Sequence, residues 1–520
     1  MSGDDLRPPR PAWGIYKRAA LASVLIIISG AAAVSTAALL KVKDITDTIK
    51  QFQGHVHFDR NVITKAEAGQ PQTILLVGTD RRYGQAKSAA RSDTLMLLHL
   101  DPSQQATGVL SIPRDLLVTI PGYGLSKINA AYADGGLNLT VKTVKALLST
   151  PEQPFKINHA IGVDFKGFRR AVDYIGCVYA DVDRRYYHSN LGLPPAAQYA
   201  EIDIQPGYQR LCGQRALDYV RYRHTDSTFV RDARQQDFLR EAKDQVGTSQ
   251  LIDDLEPLVK IFAKATEADN DLASNHGILR LLKLAAFSTG HPTREVPFPR
   301  TLNGTKALGS YVTIRPDQIV QIVDQFMHGK VVTAPPKPKP AVAAKKKKRK
   351  KKSKANLTPF AKYGLVDATR RGEDLAVAAL APGGGRPHLR FPFYYTSGLT
   401  PSGIYPASAA NAPMPRVYTI RDRAGRAHQA YRIVIQQGGG AGQYYGVQGT
   451  TWRTPPLLKS PSERRRMRGR TYDLYYDGKL LRAVAWRTPR AVYWVSNTLS
   501  LALTNQQMLG LGRSLTRFGS

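Results

Sequence analysis

Residues 74–82 read Ile-Leu-Leu-Val-Gly-Thr-Asp-Arg-Arg, residues 91–100 read Arg-Ser-Asp-Thr-Leu-Met-Leu-Leu-His-Leu, and residues 108–115 read Gly-Val-Leu-Ser-Ile-Pro-Arg-Asp. Each joins a short apolar run to charged residues. The apolar parts, Ile74 to Val77, Thr94 to Leu100 and Gly108 to Ile112, have the length and branching of buried strands. Between and after them, Leu137 to Leu148 and Phe165 to Ile175 carry helical periodicity, and the alternation continues through Gly213 to Val220, Asp232 to Val246, Ile278 to Phe287 and Pro316 to Met327. Strands interleaved with helices in this way predict an α/β domain built as α-β-α layers.

The charged ends of those strands are the first chemical signal. Asp80 follows a buried strand directly, where an α/β sheet presents its ligand-binding edge. Arg91 and Asp93, two residues apart, point the same way on an extended chain. Arg114 and Asp115 close the third strand. Taken singly, each is an ordinary turn or cap residue. Together they put two carboxylates and two arginines at three successive strand ends.

A second signal lies further along. Arg221-Tyr-Arg223-His224 and Arg231-Asp-Ala-Arg234-Gln235-Gln236 place four arginines and two amides in one short stretch. Arginine is a permanently charged fork of donors, and several converging on one point suit a multiply charged oxyanion such as a pyrophosphate. Arg221 and Arg223 share a face only if the chain is extended there, whereas Arg231, Arg234 and Gln235 fall on one face of a helix. The competing reading is a solvated basic surface that binds nothing.

Net charge narrows the partner. The chain carries +34 over 520 residues, with nine positive charges in the ten residues 345–354. Such a balance implies nucleic acid, anionic lipid or an acidic polymer. Residues 19–40 form an uncharged, mostly apolar run of 22 residues, long enough to cross a bilayer as a helix. Arg7, Arg10, Lys17 and Arg18 precede it, so residues 1–18 are expected in the cytoplasm and everything after about residue 41 outside it. A cleaved signal peptide is the rival reading. In that exported space Cys177 and Cys212 are expected to form a disulfide closing a loop of 35 residues, the alternative being two buried thiols. Two cysteines lack the partners of a zinc site.

The organisation that follows is a helical stalk over 41–70, a catalytic domain over 71–330, a Pro/Lys-rich linker over 331–358, and a smaller α+β domain over 359–520. In the last, Asp477-Gly478 signals a hairpin turn and Thr504 to Gln507 a capping box. Arg464 to Arg470 is expected to be a loop, the alternative being a contact with an anionic polymer. No Walker loop, nucleophile elbow or zinc motif is present, which leaves an ATPase, a serine hydrolase and a zinc peptidase without support. His224 beside the arginines is expected to be neutral and hydrogen-bonded rather than a base.

In order, the segments GTDRR, RSDT and LSIPRD, then Ile120 to Gly124, Lys127 to Tyr132, Ala216 to His224 and Arg231 to Gln236, closely resemble the LytR-CpsA-Psr family of bacterial cell-wall enzymes over about residues 70–330. The resemblance implies a membrane-anchored phosphotransferase that moves an anionic glycopolymer from a polyprenyl-pyrophosphate carrier onto peptidoglycan. It further implies that Asp80 and Asp93 hold Mg2+, that Arg91 and Arg114 serve the reacting phosphate, and that Arg221, Arg223, Arg231 and Gln235 surround the pyrophosphate, with Arg234 and Lys127 as weaker candidates. The alternatives are an exported binder of the same carrier or polymer without chemistry, and a nucleic-acid binder, which the absence of a DNA-reading motif and the exported arginines argue against.

Overall fold

The computed structural model describes residues 58–59, 61–65, 67, 69–80, 92–104, 107–150, 153–194, 198–222, 226, 228–246, 266–269, 293–299, 301–305, 309–329, 359–380, 389–406, 415–438, 443–467 and 469–519. The apolar run at 19–40, the linker, Arg91, Arg223, His224 and the helix expected at 278–287 lie outside them. Among the described residues no helix is long and apolar enough to cross a membrane.

The first three apolar runs are strands β1 (Gln72–Thr79), β2 (Ser92–Leu100) and β3 (Thr107–Ile112), followed by a hairpin of β4 (Leu117–Ile120) and β5 (Gly124–Lys127). Helix α1 (Ala130–Leu148) leads to β6 (His159–Asp164) and α2 (Phe165–Tyr174). Two hairpin-like pairs come next, β7 (Val178–Val182) with β10 (Gly207–Leu211), and β8 (Tyr186–His188) with β9 (Ile202–Ile204). Helices α3 (Gly213–Arg221) and α4 (Thr228–Gln245) precede β11 (Thr266–Ala268), β12 (Thr293–Val296), the pair β13 (Thr301–Thr305) and β14 (Gly309–Thr313), and α5 (Pro316–His328). The central sheet has the order β11-β6-β1-β2-β3-β12, with β1 antiparallel to β2 and parallel to β6.

Both faces of this sheet are covered, which is why its strands are apolar throughout rather than alternating. Leu75, Val77, Leu95, Leu97, Leu110 and Ile112 pack under α1 and α5, whose apolar stripes include Leu137, Val141, Val144, Ile322 and Phe326. The opposite face receives α4, whose Gln236 donates to Ser111 Oγ at 2.9 Å. The α-β-α layering is therefore as expected. The apolar faces of α1 are used up by this core. Residues 61–65, expected within a helical stalk, instead turn against the domain: Val62 is buried in the same core, and Thr64 N donates to Ile157 O at 2.9 Å.

Residues 359–519 are mostly strands, a correction to the α+β expectation. After β15 (Val366–Asp367), α6 (Thr369–Leu380), β16 (Tyr394–Thr396), β17 (Gly398–Leu399) and β18 (Gly403–Ile404) come β19 (Arg416–Arg421), β20 (Ala427–Gln437), β21 (Tyr444–Thr450), β22 (Glu463–Met467), β23 (Arg470–Asp477), β24 (Leu480–Arg487) and β25 (Val492–Ser496), then α7 (Asn505–Arg513) and β26 (Leu515–Arg517). Strands β18 and β20 to β25, with β19, form one antiparallel sheet. The Asp477-Gly478 turn joins β23 to β24, and Thr504 caps α7 through Gln507. Residues 463–467, expected as a loop, form an edge strand because Arg464 and Arg466 alternate with the less exposed Arg465 and the buried Met467.

One face of this sheet packs on α7, and the other on the domain that precedes the linker. Tyr179 and Tyr208 of β7 and β10 join Trp452, Leu457, Tyr475 and Trp494 in one apolar cluster. At its centre Asp181 accepts from Trp494 Nε1 at 3.0 Å and from the fully buried Arg432 at 3.1 Å. A second polar knot joins α4 to the β23–β24 hairpin: Arg240 bonds Glu295 at 2.5 Å and Asp477 at 2.7 Å as well as Asp237, while Arg482 bonds Glu241 at 2.5 Å. One guanidinium thus answers three carboxylates.

Cys177 and Cys212 are disulfide-bonded across 35 residues, with Cα atoms 4.7 Å apart, tying the start of β7 to the N-cap of α3. Replacing both by serine is expected to lower stability by roughly 3 to 4 kcal/mol in denaturant unfolding, since the open chain regains loop entropy; an unchanged midpoint would mean the bridge constrains nothing. Burial and the neighbouring Asp477 push Glu295 up to about 8. A carboxyl held protonated in the folded state favours folding below its ordinary value of 4.5, and that contribution is lost as pH rises to about 8. Thermal midpoints should accordingly fall over that window and fall less steeply in Glu295→Gln.

Candidate active site

Sheet topology brings the charged strand ends together. Thr79 is registered against Ser92 on one side and Asp164 on the other, and Leu95 against Ile112, so the end of β1, the start of β2 and the ends of β3 and β6 share one edge. The β1–β2 register slips between Gly78, opposite Thr94, and Thr79, opposite Ser92. Asp93 is the extra residue of this bulge. A bulge re-aims the side chain it carries, here that of Asp93, which meets Arg114.

Asp93 bonds Arg114 Nη1, and Arg114 Nε stands 3.5 Å from Asp115 Oδ2. Burial works against the Arg114 charge, but Asp93 and Asp115 outweigh it and raise its pKa. Lys127, at the end of β5, lies 3.8 Å from the other Asp115 oxygen. Asp80 is half-buried. Asp164, at the same edge, is used as the N-cap of α2 and accepts from Gly167 N at 2.7 Å.

The arginine-rich segment arrives from the opposite layer. Arg221 ends α3, where Asp218 holds its Nε at 3.2 Å, and its guanidinium lies 5.3 Å from the ring of Phe165, the residue after β6. Arg221 is thus helical rather than extended, and the chain straightens only at Tyr222. Gln235 Nε2 donates to Val220 O at 3.0 Å, fastening α4 to the end of α3. Arg231 is 7 % exposed. Burial lowers its pKa and so does Arg114, against the raising effect of Asp232, Asp93 and Asp115. Its contact with Asp232 is 3.7 Å, and its Nε has no hydrogen-bond acceptor among the described residues. Three carboxylates act on this buried guanidinium, none of them within hydrogen-bond distance, and burial together with Arg114 outweighs them.

Arg234 does not join this group, which corrects its reading as a phosphate ligand. It is fully buried, and bonds Asp226 and the Tyr222 carbonyl among the rings of Tyr186, Tyr219 and Tyr222, at 4.7, 5.6 and 5.7 Å. Arg184 bonds the same Asp226 and also lies over Tyr186 and Tyr222, at 4.7 and 5.4 Å. Next to them burial pushes Asp183 up to about 6, and it accepts from Tyr186 OH at 2.5 Å. Arg231 and Arg234 lie about 60° apart around the helix, enough to send one to the sheet edge and the other into the domain. Spacing alone does not separate them; the tyrosines at 186, 219 and 222 are the signal that sequence reading passed over. The second residue it missed is Arg184, which has no motif around it.

Residues 33–326, more than half of the chain, match the LytR_cpsA_psr family, and the chain belongs to it. TagT of Bacillus subtilis, named a polyisoprenyl-teichoic acid–peptidoglycan teichoic acid transferase, is 33% identical over 169 residues, 32% of this chain and 50% of its own. TagV of the same organism, which carries the same transferase name, is 30% identical over 232 residues, 44% and 55% of the two chains. The match therefore spans about half the length of these relatives. The crystal structure of B. subtilis TagV aligns at 25% identity over 50% of this chain and 97% of that one, with a TM-score of 0.40.

Arg231 and Arg234 should part company on substitution. Arg234→Gln leaves Asp226 and the Tyr222 carbonyl short of donors and is expected to cost about 3 to 5 kcal/mol of stability. Arg231→Gln removes a buried, under-partnered charge and should leave the unfolding midpoint unchanged or raised while weakening pyrophosphate binding. Equal destabilisation of both variants would contradict the distinction.

Proposed function

We propose that this chain is a membrane-anchored phosphotransferase, which moves an anionic glycopolymer from a polyprenyl-pyrophosphate carrier onto peptidoglycan. The observation that carries the reading is Arg231, buried near Arg114 with its Asp232 contact at 3.7 Å, at a sheet edge where a bulge carries Asp93. A pyrophosphate would bring negative charge into direct contact with it. Family membership supports the reading, and the relatives' names bring teichoic acid and peptidoglycan as the substrate classes. The run at 19–40 would serve as the anchor, leaving the site outside the cytoplasm.

The division of labour follows from the chemistry. Phosphoryl transfer asks the protein mainly to position the reactants and neutralise charge. Arg114, Arg221, Arg231 and, by sequence, Arg91 and Arg223 would hold the pyrophosphate oxygens, with Lys127 and Gln235 at the margin. Their fixed donors disfavour any group that carries less negative charge than the transferring phosphate. A hydroxyl of the peptidoglycan acceptor then attacks the phosphorus attached to the polymer; a phosphodiester forms, the phosphoanhydride bond breaks, and the carrier leaves as its monophosphate. Asp80 and Asp93 offer hard carboxylate oxygens from neighbouring strand ends, a donor set that fits Mg2+. The ion would add charge neutralisation at the phosphates.

The test is polymer attachment to the wall in cells carrying Asp93→Ala or Arg221→Ala. Loss of attachment by about 10²- to 10³-fold is expected for either, the range for removing one charge-stabilising donor, with the protein still reaching the membrane. Attachment at the parental level in both would end the transferase reading. With purified protein, chelation of Mg2+ should stop release of polyprenyl phosphate; retained polymer binding with no release under any condition would mark a binder without chemistry.

A further inference from the structure

The domain after the linker is more basic than the catalytic one. Residues 359–520 contain 23 lysines and arginines against seven acidic residues, a net of +16. The acidic groups are heavily used: Asp477 is taken by Arg240, Asp422 by Arg426 and His428, and Asp473 by Arg464 and Arg487 together.

That last sharing defines a place. Residues opposite one another on neighbouring strands share a face, and Arg464 is opposite Asp473, Asp473 opposite Ala485, and Ala485 opposite Trp494. Arg466 and Arg487, two residues along their strands from Arg464 and Ala485, lie on that face too. It is the face that Ala485 and Trp494 press against the catalytic domain. The arginines continue it past the contact, out to β22, which is the last strand of the sheet. Arg464 is 71 % exposed, Arg453 and Arg466 are exposed, and Asp473 beneath them is buried. Burial and the charges of Arg464 and Arg453 lower the Arg487 pKa, even though Asp473 bonds it.

Charged side chains on an edge strand also guard it against pairing with another sheet. That accounts for Arg464 and Arg466 on β22. It does not account for Arg487, which reaches the same carboxylate from β24, or for Arg453, whose carbonyl accepts from Arg487 Nε at 3.3 Å. Two guanidinium groups share that one carboxylate, and the exposed Arg466 and Arg453 add charge with no carboxylate of their own in the ridge, which leaves the place positive and open to solvent.

We propose that Arg453, Arg464, Arg466 and Arg487 form a ridge that binds a phosphate-bearing glycopolymer along its chain, away from the carrier pyrophosphate. The inference rests on the transferase reading for the identity of the polymer. Helix α4 links the two places. Arg231 stands at the sheet edge and Arg240, nine residues on, meets Asp477, a separation of about 14 Å. Asp473 lies four strand residues back from Asp477, about 13 Å further. Followed along α4 and then β23, this route is on the order of 25 Å, one that an extended polymer could trace. Nucleic acid is the poorer fit, because the described residues of this domain expose no large aromatic ring on which bases would stack.

The probe is soluble poly(glycerol phosphate), with dextran as the uncharged control, titrated against the full chain at low and moderate salt. Wild type should bind the phosphopolymer and not dextran. Arg464→Gln with Arg466→Gln, both exposed and so tolerated by the fold, should weaken binding about tenfold at low salt and flatten the dependence of log K on log salt by about two charges. Arg231→Gln should retain most of the polymer affinity. Unchanged affinity and salt slope in the double variant would overturn the ridge, and so would tighter binding of single-stranded DNA than of the phosphopolymer. Ridge-dependent binding by a protein that transfers nothing would overturn the transferase reading and leave the ridge standing.

Discussion

The fully buried guanidinium of Arg234 is the constraint on which the site depends. A charge taken out of water must find partners, and Arg234 finds them in Asp226, the Tyr222 carbonyl and three tyrosine rings. Those contacts join two points of the chain that bracket the segment between α3 and α4. Arg221 is fixed just before the segment and Arg231 just inside the helix after it. The arginine that touches no substrate therefore decides where the other arginines stand. The C-terminal domain contributes to the same cage, since Tyr444 lies 5.2 Å from the guanidinium of Arg184, which shares Asp226.

Two kinds of arginine emerge, and the difference is in their electrostatic surroundings. Arg184 and Arg234 are tied to a carboxylate that they share, and their pKa values are raised despite burial. Arg231 is buried almost as deeply, yet its pKa is lowered, because burial, with Arg114 adding to it, outweighs the pull of Asp232, Asp93 and Asp115. A structural arginine already has its carboxylate at hydrogen-bond distance before any ligand arrives. One kept for an anion is left short, and the deficit costs folding free energy that binding recovers. Placing such a deficit next to a paired cage lets the cage hold the geometry while the deficit supplies the affinity.

Much of this was legible in the residues. The strand ends at Asp80, Asp93 and Arg114 were readable because a buried strand followed by charge has few explanations, and the order of the short motifs carried the family. What escaped was anything decided by side-chain direction. Arg231 and Arg234 have the same spacing relation as any pair on one helix face, and only the packing of Tyr186, Tyr219 and Tyr222 tells them apart. The Asp93 bulge is a register event between two strands and leaves no mark in either alone. Residues 463–467 read as a loop because a run of arginines looks solvated, whereas alternation around the buried Met467 makes them a strand. The stalk failed for a similar reason, its apolar Val62 being claimed by the core of the neighbouring domain.

The interface between the two domains follows the same logic as the site. Tyr179, Tyr208, Trp452 and Trp494 supply the apolar area, and Asp181 satisfies both the indole N–H and the buried Arg432 that this area would otherwise strand. At the Arg240 knot the balance is reversed, with carboxylates in excess, and burial keeps Glu295 protonated well beyond its usual range. At the domain contact four carboxyl groups, Asp237, Glu241, Glu295 and Asp477, face the two guanidinium groups of Arg240 and Arg482. Helix α4 carries Arg231 near one end and Arg240 and Glu241 further along. An anion arriving at Arg231 and the carboxylates gathered at Arg240 lie on one rigid element, so a shift of α4 large enough to close on a pyrophosphate would have to be accommodated where the second domain is held.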